Sequence, residues 1–315
     1  MTSRRIDYKD RLFNYIFGAE ENRAWTLDLY NAVNGSHYSD PSAIEINTIK
    51  EILYLGMRND VSFLLAGEMN LYEQQSGYNP NMPVRLLQYS GNLYEQYIIK
   101  NSLNKYGSRR IALPVPKLIV FYNGKADQPD EQILQLRDSF PEGSDPDIDV
   151  RVRMLNINYG KNEALLNACR PLKEYAWLIM EIRKEKTRLE KERNPVIIET
   201  LEEKKTRVVE ELRESIDKGI TSMPADFILK PFLESHRAEV MGMLMEEYSE
   251  AEVMELFREE GREEGRAEGR EEGINITRLA DIRNMMAGLN MSAQQAMDIL
   301  KISVDDRQKY IGLLD

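Results

Sequence analysis

The spacing of apolar residues predicts two helices between residues 8 and 33. Apolar positions recur there every three or four residues, which is typical of helices that bury one face. Gly18 interrupts the pattern, and the second helix carries Trp25, Leu29 and Val33. The first helix presents one apolar patch, which consists of Leu12, Phe13, Ile16 and Phe17. We therefore expect two amphipathic helices before the first strand.

After residue 50 the pattern becomes that of short β-strands. Three apolar runs follow one another: EILYLG at 51–56, DVSFLLA at 60–66 and MNLYEQQ at 69–75. The pair Ala66-Gly67 separates the last two runs, and a glycine between two strand patterns indicates a tight hairpin turn. These runs therefore predict an antiparallel hairpin.

A helix and two further strands complete the predicted sheet region. Residues 82–103 have a helical pattern, although Gly91 lowers the helix propensity of its middle. The run LIVFYNG at 118–124 is β-branched and aromatic, and Asn-Gly closes it as a turn. Alternating apolar residues at 149–158 predict another strand.

From about residue 161 the pattern is helical and increasingly charged, with a break at Pro195. Helices, then a small mixed sheet, then further helices indicate the α+β class with an all-α C-terminal extension. We divide the chain into a core, 1–160, a helical extension, 161–257, a Gly/Glu/Arg-rich linker or helix, 258–273, and a small C-terminal helical unit, 274–315.

The repeat REEGREEGRAEGREEG at 258–273 has a glycine at every fourth position. On a helix these glycines form a slowly turning row, and each costs about 1 kcal/mol relative to alanine. One interpretation is a surface that a partner helix approaches closely, including that of a second copy of the chain. The other is a solvated linker with Glu–Arg pairs. Residues 274–315 carry five basic and five acidic residues, which favours a packing unit over a DNA reader.

Composition limits the kinds of site that the chain can carry. The 315 residues lack an apolar run of about 18, so no membrane span or membrane partner is expected. The single cysteine, Cys169, has no partner for an internal disulfide and fits a reducing cytoplasm. With only two histidines, a Cys/His zinc site is not expected, and any metal would be a hard cation held by oxygen.

The net charge of −11 at first argues against nucleic acid as a partner. Residues 1–160, however, hold 17 basic and 20 acidic residues, a net charge of only −3. Most of the acidity is therefore C-terminal, and the core permits DNA binding without predicting it.

The predicted hairpin carries acids at both of its ends. Glu73 and Gln75 share one face of their strand, and Asp60 joins them if the pairing register is favourable. Converging carboxylates repel unless a cation lies between them, and Mg²⁺ accepts carboxylates together with water and phosphate. Spacing alone favours exposed carboxylates on a hairpin over a metal site.

Several stretches together resemble the PD-(D/E)XK nuclease superfamily, in particular its Rpn-type recombination-promoting nucleases, also described as transposases. The resemblance extends over nearly the whole chain and depends on the order and spacing of the stretches. They are DRLFNYIFG for the opening helix, NDVSFLL for the Asp-bearing strand, LYEQQS for the next strand, MPVRLLQYSGNLYEQYI for the following helix, and PKLIVFYNGK for the core strand.

The resemblance implies a role for each matched residue. Asp60 and Glu73 would ligate Mg²⁺, with Mn²⁺ as an alternative ion, and the Gln74 carbonyl and Asp10 would complete the metal site. Gln75 takes the position of the family's lysine, which is a departure that the Rpn-type branch shares. Asp60, Glu73 and Gln75 would thus be the catalytic residues. Arg85 would either contact DNA phosphate or form a salt bridge on the helix surface.

Two functions follow as expectations. The first is a Mg²⁺-dependent DNA endonuclease of low sequence specificity that promotes recombination. Strand transfer would use the same metal chemistry on phosphodiesters. The second is a non-catalytic scaffold that keeps the nuclease-like core and acts through its helical C-terminal arm, for example by forming a homo-oligomer.

Overall fold

A computed structural model describes residues 12–46, 61–192 and 200–314 of the chain. The predicted strand at 51–56 and the break at Pro195 lie outside the described residues. The chain divides into two compact units, Met1–Ser249 and Glu250–Asp315. No helix among the described residues combines the length and apolar character needed to cross a membrane.

The first unit contains a mixed sheet with six described strands, which together with the helices makes the chain α+β, as predicted. The strands are β1 (Glu45–Ile46), β2 (Val61–Leu65), β3 (Glu68–Gln75), β4 (Val115–Tyr122), β5 (Glu131–Gln135) and β6 (Arg151–Asn156). Their order across the sheet is β1-β2-β3-β4-β6-β5. The pairs β3–β4 and β4–β6 are parallel, whereas the other three pairs are antiparallel.

Ten described helices surround or follow the sheet. They are α1 (Leu12–Phe17), α2 (Arg23–Asn34), α3 (Met82–Lys100), α4 (Glu163–Ala168), α5 (Arg170–Glu192), α6 (Leu201–Thr221), α7 (Leu229–Ser235), α8 (Arg237–Leu289), α9 (Ala293–Ile299) and α10 (Val304–Ile311). Residues 258–273 lie within α8. The end of α8 packs with α9 and α10 around Ile282, Met297 and Tyr310, so residues 274–314 contain the end of one long helix and two short helices.

The predicted hairpin is confirmed. Ala66 and Gly67 have φ angles of 51° and 78°, and two left-handed residues make the type I′ turn that suits the twist of paired strands. The register pairs Leu65 with Glu68 and Val61 with Tyr72. The sequence pattern therefore correctly predicts both the strands and the turn.

The helix α3 connects β3 to the parallel strand β4, because parallel neighbours require a crossover. It covers one face of the sheet, where Leu86 and Leu93 pack with Met69 and Leu71. The opposite face carries a larger core that includes the predicted patch of α1, all four of whose members are fully buried. The sheet is thus covered on both faces.

Three sequence predictions differ from the structure. The helical pattern predicted from about residue 161 is divided into α4 and α5, because Cys169 is extended and Pro171 lacks the N–H that an uninterrupted helix needs. The same pattern is interrupted again between α6 and α7, where Pro224 stands. The edge strand β5 was not predicted, because only Ile133 and Leu134 in it are apolar.

Candidate active site at the carboxyl end of the central strands

Glu73 and Gln75 lie on the same face of β3, as predicted, near its carboxyl end. Both side chains turn toward α3, and only 1% of Glu73 and 8% of Gln75 is exposed. On this face β3 contributes Met69 and Leu71 to the core under α3. An ionisable group as buried as Glu73 is rare without a partner or a function.

Arg85 of α3 is a positively charged residue that lies next to Glu73. Its Nη2 lies 3.4 Å from the Glu73 Oε2 and 3.2 Å from the Tyr89 hydroxyl. The guanidinium also lies over the Tyr89 ring, 5.8 Å from the ring centre. The Arg85 side chain is 35% exposed, whereas that of Glu73 is 2% exposed. Arg85 therefore connects the buried carboxylate to the surface, and 3.4 Å is long for a charge-assisted hydrogen bond.

Gln75 has an unsatisfied amide. Its backbone carbonyl accepts a hydrogen bond from the Asn123 N–H at 3.0 Å, which extends the pairing with β4. Its side-chain Nε2, however, is buried and has no hydrogen-bond partner among the described residues. Leaving a buried donor unsatisfied costs about 1–3 kcal/mol. Such a donor suits a ligand or a bound water on the face that it shares with Glu73.

Gln74 points to the other face of the sheet and is well satisfied. Its Nε2 donates to the Asn123 Oδ1 at 2.7 Å, and the Asn123 Nδ2 donates to the Tyr175 hydroxyl at 3.3 Å. This chain of contacts connects β3, the end of β4 and α5. The Gln74 side chain therefore stabilises the fold.

The predicted acids Asp10 and Asp60 lie outside the described residues. Within the described ranges, no three His, Cys, Asp or Glu side chains are grouped closely enough to hold a metal ion. Of the predicted carboxylate ligands, Glu73 is therefore the one whose surroundings are described. Glu73 also has at least one interaction beyond its pair with Arg85.

Arg183 of α5 also belongs to this region, although no sequence pattern indicates it. Its Nη2 donates to the Asn123 carbonyl, and its Nη1 donates to the Asn158 Oδ1 at 2.9 Å. The Asn158 Nδ2 in turn donates to the Gly124 carbonyl at 3.1 Å. The Asn-Gly turn after β4 was the available signal, but the sequence does not indicate which helix packs on it.

Cys169 is fully buried, as expected of a small apolar side chain. Burial raises the pKa of its thiol to about 12. The thiolate is the nucleophilic form of cysteine, so this residue does not supply a reactive group.

Comparison of the chain with protein-family models, with curated proteins and with solved structures gave no match.

Proposed function

We propose that the chain is a divalent-metal-dependent DNA endonuclease of low sequence specificity, with a core of the PD-(D/E)XK type. The observation that carries the proposal is the buried Glu73 carboxylate beside the unsatisfied amide of Gln75. Arg85 approaches the same carboxylate from α3. An acid, an amide and a partly exposed cation at the carboxyl end of β3 suit a phosphodiester substrate.

The order of elements supports this proposal. The resemblance implies an opening helix, two strands that flank a turn, a helix and a core strand. The described chain has α1, β2, β3, α3 and β4 in that order. The antiparallel hairpin and the parallel strand after α3 bring Glu73 to the centre of the sheet, beside Val120.

The donor atoms fit a hard cation. Successive carbonyl groups of a strand point toward opposite neighbours, and the Gln75 carbonyl points toward β4. We infer that the Gln74 carbonyl points toward β2, past Val61, which pairs with Tyr72. Asp60 directly precedes Val61 in the sequence. These oxygens and the Glu73 carboxylate would hold Mg²⁺ or Mn²⁺, with Asp10 as an additional ligand.

Each described side chain then has a distinct role. A bound cation would stabilise the charge on the phosphodiester and would activate the attacking water. The Gln75 amide orients that water by a hydrogen bond, although it cannot supply the positive charge of a lysine. Arg85 contacts a phosphate oxygen through its exposed N–H groups and holds Glu73 in place.

Cleavage of supercoiled plasmid DNA tests the proposal. We expect the purified protein to nick the plasmid with Mg²⁺ or Mn²⁺ and to lose this activity in chelator. Glu73→Gln keeps the size of the side chain and should lower the rate at least about 100-fold. Glu68→Gln is the matched control, because Glu68 lies on the same strand but pairs with Tyr30 and Lys117 at its other end.

Equal cleavage by wild type and Glu73→Gln would assign the activity to another site or to a contaminant. No cleavage by the wild type under any of these conditions would favour the non-catalytic scaffold. Joined DNA products in addition to nicked ones would indicate strand transfer, which would connect the activity to recombination directly.

A further inference from the structure

A second group of polar and basic residues lies at the same end of the parallel strands as the candidate active site, on the face of the sheet that α5 covers. The parallel strands end in one row, in which Gln75 of β3 is opposite Tyr122 of β4, and Tyr122 is opposite Asn156 of β6. Crevices outside the carboxyl ends of parallel strands are common ligand sites. The turn after β4 therefore lies next to the end of β3, and a substrate bound at Gln75 would extend toward this turn.

This turn is held rigidly by Arg183 of α5. Arg183 donates to the Asn123 carbonyl and to Asn158, and Asn158 donates to the Gly124 carbonyl. A Cβ on Gly124 would lie 2.6 Å from the Ser76 carbonyl oxygen, so the turn packs closely against the end of β3. The Arg183 Nε is buried and has no hydrogen-bond partner among the described residues. An unsatisfied cationic donor is suited to binding an anion.

Two lysines extend the positive charge toward solvent. Lys186 follows Arg183 by three residues, which puts both on one side of α5. Its side chain is only 15% exposed and lies 3.7 Å from the Glu190 carboxylate. Lys125 follows Gly124 in the turn and is exposed. Burial lowers the pKa of the Lys186 ammonium, and the nearby charge of Lys125 lowers it further.

The acids around these cations are occupied or exposed. Glu190 pairs with Lys186 at a distance typical of a weak surface ion pair. The charge of the Glu211 carboxylate also acts on Lys186. Asp127 is 89% exposed on its side chain and pairs with Lys161 at 3.1 Å. Lys125 thus lies in the turn, Arg183 contacts the turn, and Lys186 lies on the same side of α5 as Arg183. A phosphate bound at this turn would meet positive charge from these residues.

We propose that Lys125, Arg183 and Lys186 bind a backbone phosphate of the DNA strand that is cleaved at Glu73. This inference rests on the proposed function, because it names the part of the substrate that lies beside that site. Asn123 contacts Gln75 directly, and Lys125 is two residues further, or at most about 7 Å along the chain. The phosphate bound there is therefore within about three nucleotides of the cleaved one, at a rise of about 3.4 Å each.

Salt-dependent DNA binding in chelator tests this site without requiring catalysis. Fluorescence anisotropy of a labelled 20-base-pair duplex is measured from 50 to 300 mM salt. We compare wild type, Lys125→Gln, Lys186→Gln and the double variant. The double variant should bind more weakly, and the slope of log K against log salt should decrease in magnitude by about 0.9, because one phosphate contact is lost.

Lys184→Gln is the matched control. Lys184 lies on α5 between Arg183 and Lys186 in sequence, but its exposed side chain pairs with Glu181 and points away from them. This variant removes the same charge and should keep the wild-type slope. Circular dichroism verifies folding of each variant. If Lys186→Gln does not fold, Lys125→Gln on the exposed turn still provides the test, with an expected decrease of up to about 0.9 in the magnitude of the slope.

The outcomes distinguish this inference from the proposed function. An unchanged slope in the lysine variants, an equal change in Lys184→Gln, or no DNA binding by the wild type would overturn the phosphate site. Lysine-dependent binding without any metal-dependent cleavage would keep the phosphate site and reject the nuclease. Cleavage that depends on Glu73, together with DNA binding that does not depend on the lysines, would keep the nuclease and reject the phosphate site.

Discussion

Gln74 and Gln75 are adjacent residues with opposite surroundings. The Gln74 amide donates to Asn123 inside the core on one face of the sheet. The Gln75 amide lies on the other face, where its Nε2 has no partner within the described ranges. Fold stability therefore depends on the first amide, and the second one is available to a ligand.

Replacement of each glutamine by leucine should separate stability from activity. Gln75→Leu removes an unsatisfied buried donor, so the free energy of unfolding should stay equal or increase by up to about 1–3 kcal/mol, while metal-dependent cleavage is lost. Gln74→Leu leaves the Asn123 Oδ1 unsatisfied and should cost about 1–3 kcal/mol. Urea denaturation and plasmid cleavage measure the two effects. A Gln75→Leu protein that cleaves normally would remove Gln75 from the site.

At the scale of elements, the helices α5 and α6 pack closely at Gly219. A Cβ there would lie 2.7 Å from the Ile182 Cγ1 of α5, which is closer than real Cβ atoms approach. In α3, by contrast, a Cβ on Gly91 would have no neighbour within 4 Å. Two helical glycines thus occupy opposite environments.

Alanine at these two glycines should change stability in opposite directions. Gly219→Ala forces α5 and α6 apart and should lower the free energy of unfolding by about 1–3 kcal/mol. Gly91→Ala gains helix propensity and should raise it by up to about 1 kcal/mol. Thermal and urea denaturation of both variants measure this difference. Equal effects of the two substitutions would contradict the close packing of α5 on α6.

The contact between α5 and α6 also makes a contribution to stability that depends on pH. Hydrogen bonds from Arg188 and from Lys218 of α6 lower the pKa of Glu185 on α5. A carboxyl whose pKa is lowered on folding stabilises the folded state above its unfolded pKa of about 4.3. That contribution is lost as the pH falls through the lower, folded pKa.

Glu185→Gln should therefore be less stable than the wild type at pH 7, and the difference should shrink as the pH falls below about 4. Urea denaturation from pH 7 to pH 3 measures the free energy of unfolding of both proteins. Glu192→Gln is the control, because Glu192 also pairs with Arg188 but is 60% exposed on its side chain. It should stay within about 0.5 kcal/mol of the wild type. A constant difference at all pH values would contradict the role of Glu185.

At the scale of the whole molecule, the chain has two compact units with separate apolar cores. The core of the C-terminal unit is small, and Tyr310 is its largest buried side chain, with 1% exposed. The Tyr310 hydroxyl donates to the Asn275 Oδ1 at 2.6 Å. A unit with so small a core depends on a few residues.

Tyr310→Ala should destabilise the C-terminal unit by about 3–5 kcal/mol, because it leaves a cavity and an unpaired amide. Hydrogen exchange should become faster in α9, α10 and the end of α8, and should stay unchanged in β3 and β4. Ile311→Ala is the neighbouring control, because Ile311 is 43% exposed and should change stability little. Faster exchange throughout the chain would indicate that the two units unfold together.

The sequence by itself determined the α+β class, the β2–β3 hairpin with its Ala66-Gly67 turn, and the common face of Glu73 and Gln75. These features depend on local periodicity and turn chemistry, which each segment carries in its own residues. The sequence did not determine the strand β5, because its edge pairing with β6 depends on a neighbour elsewhere in the chain. The interruption at Cys169, by contrast, has a local signal in Pro171, which lacks the N–H of an uninterrupted helix.

Only the tertiary structure decided which side chains meet. Arg85 reaches Glu73 because α3 crosses over the sheet, and Arg183 reaches Asn123 across 60 residues because α5 packs on the turn after β4. The opposite environments of Gln74 and Gln75 likewise follow from the two cores that cover the sheet. Periodicity assigns a residue to a face, but the partner on that face comes from packing between distant segments.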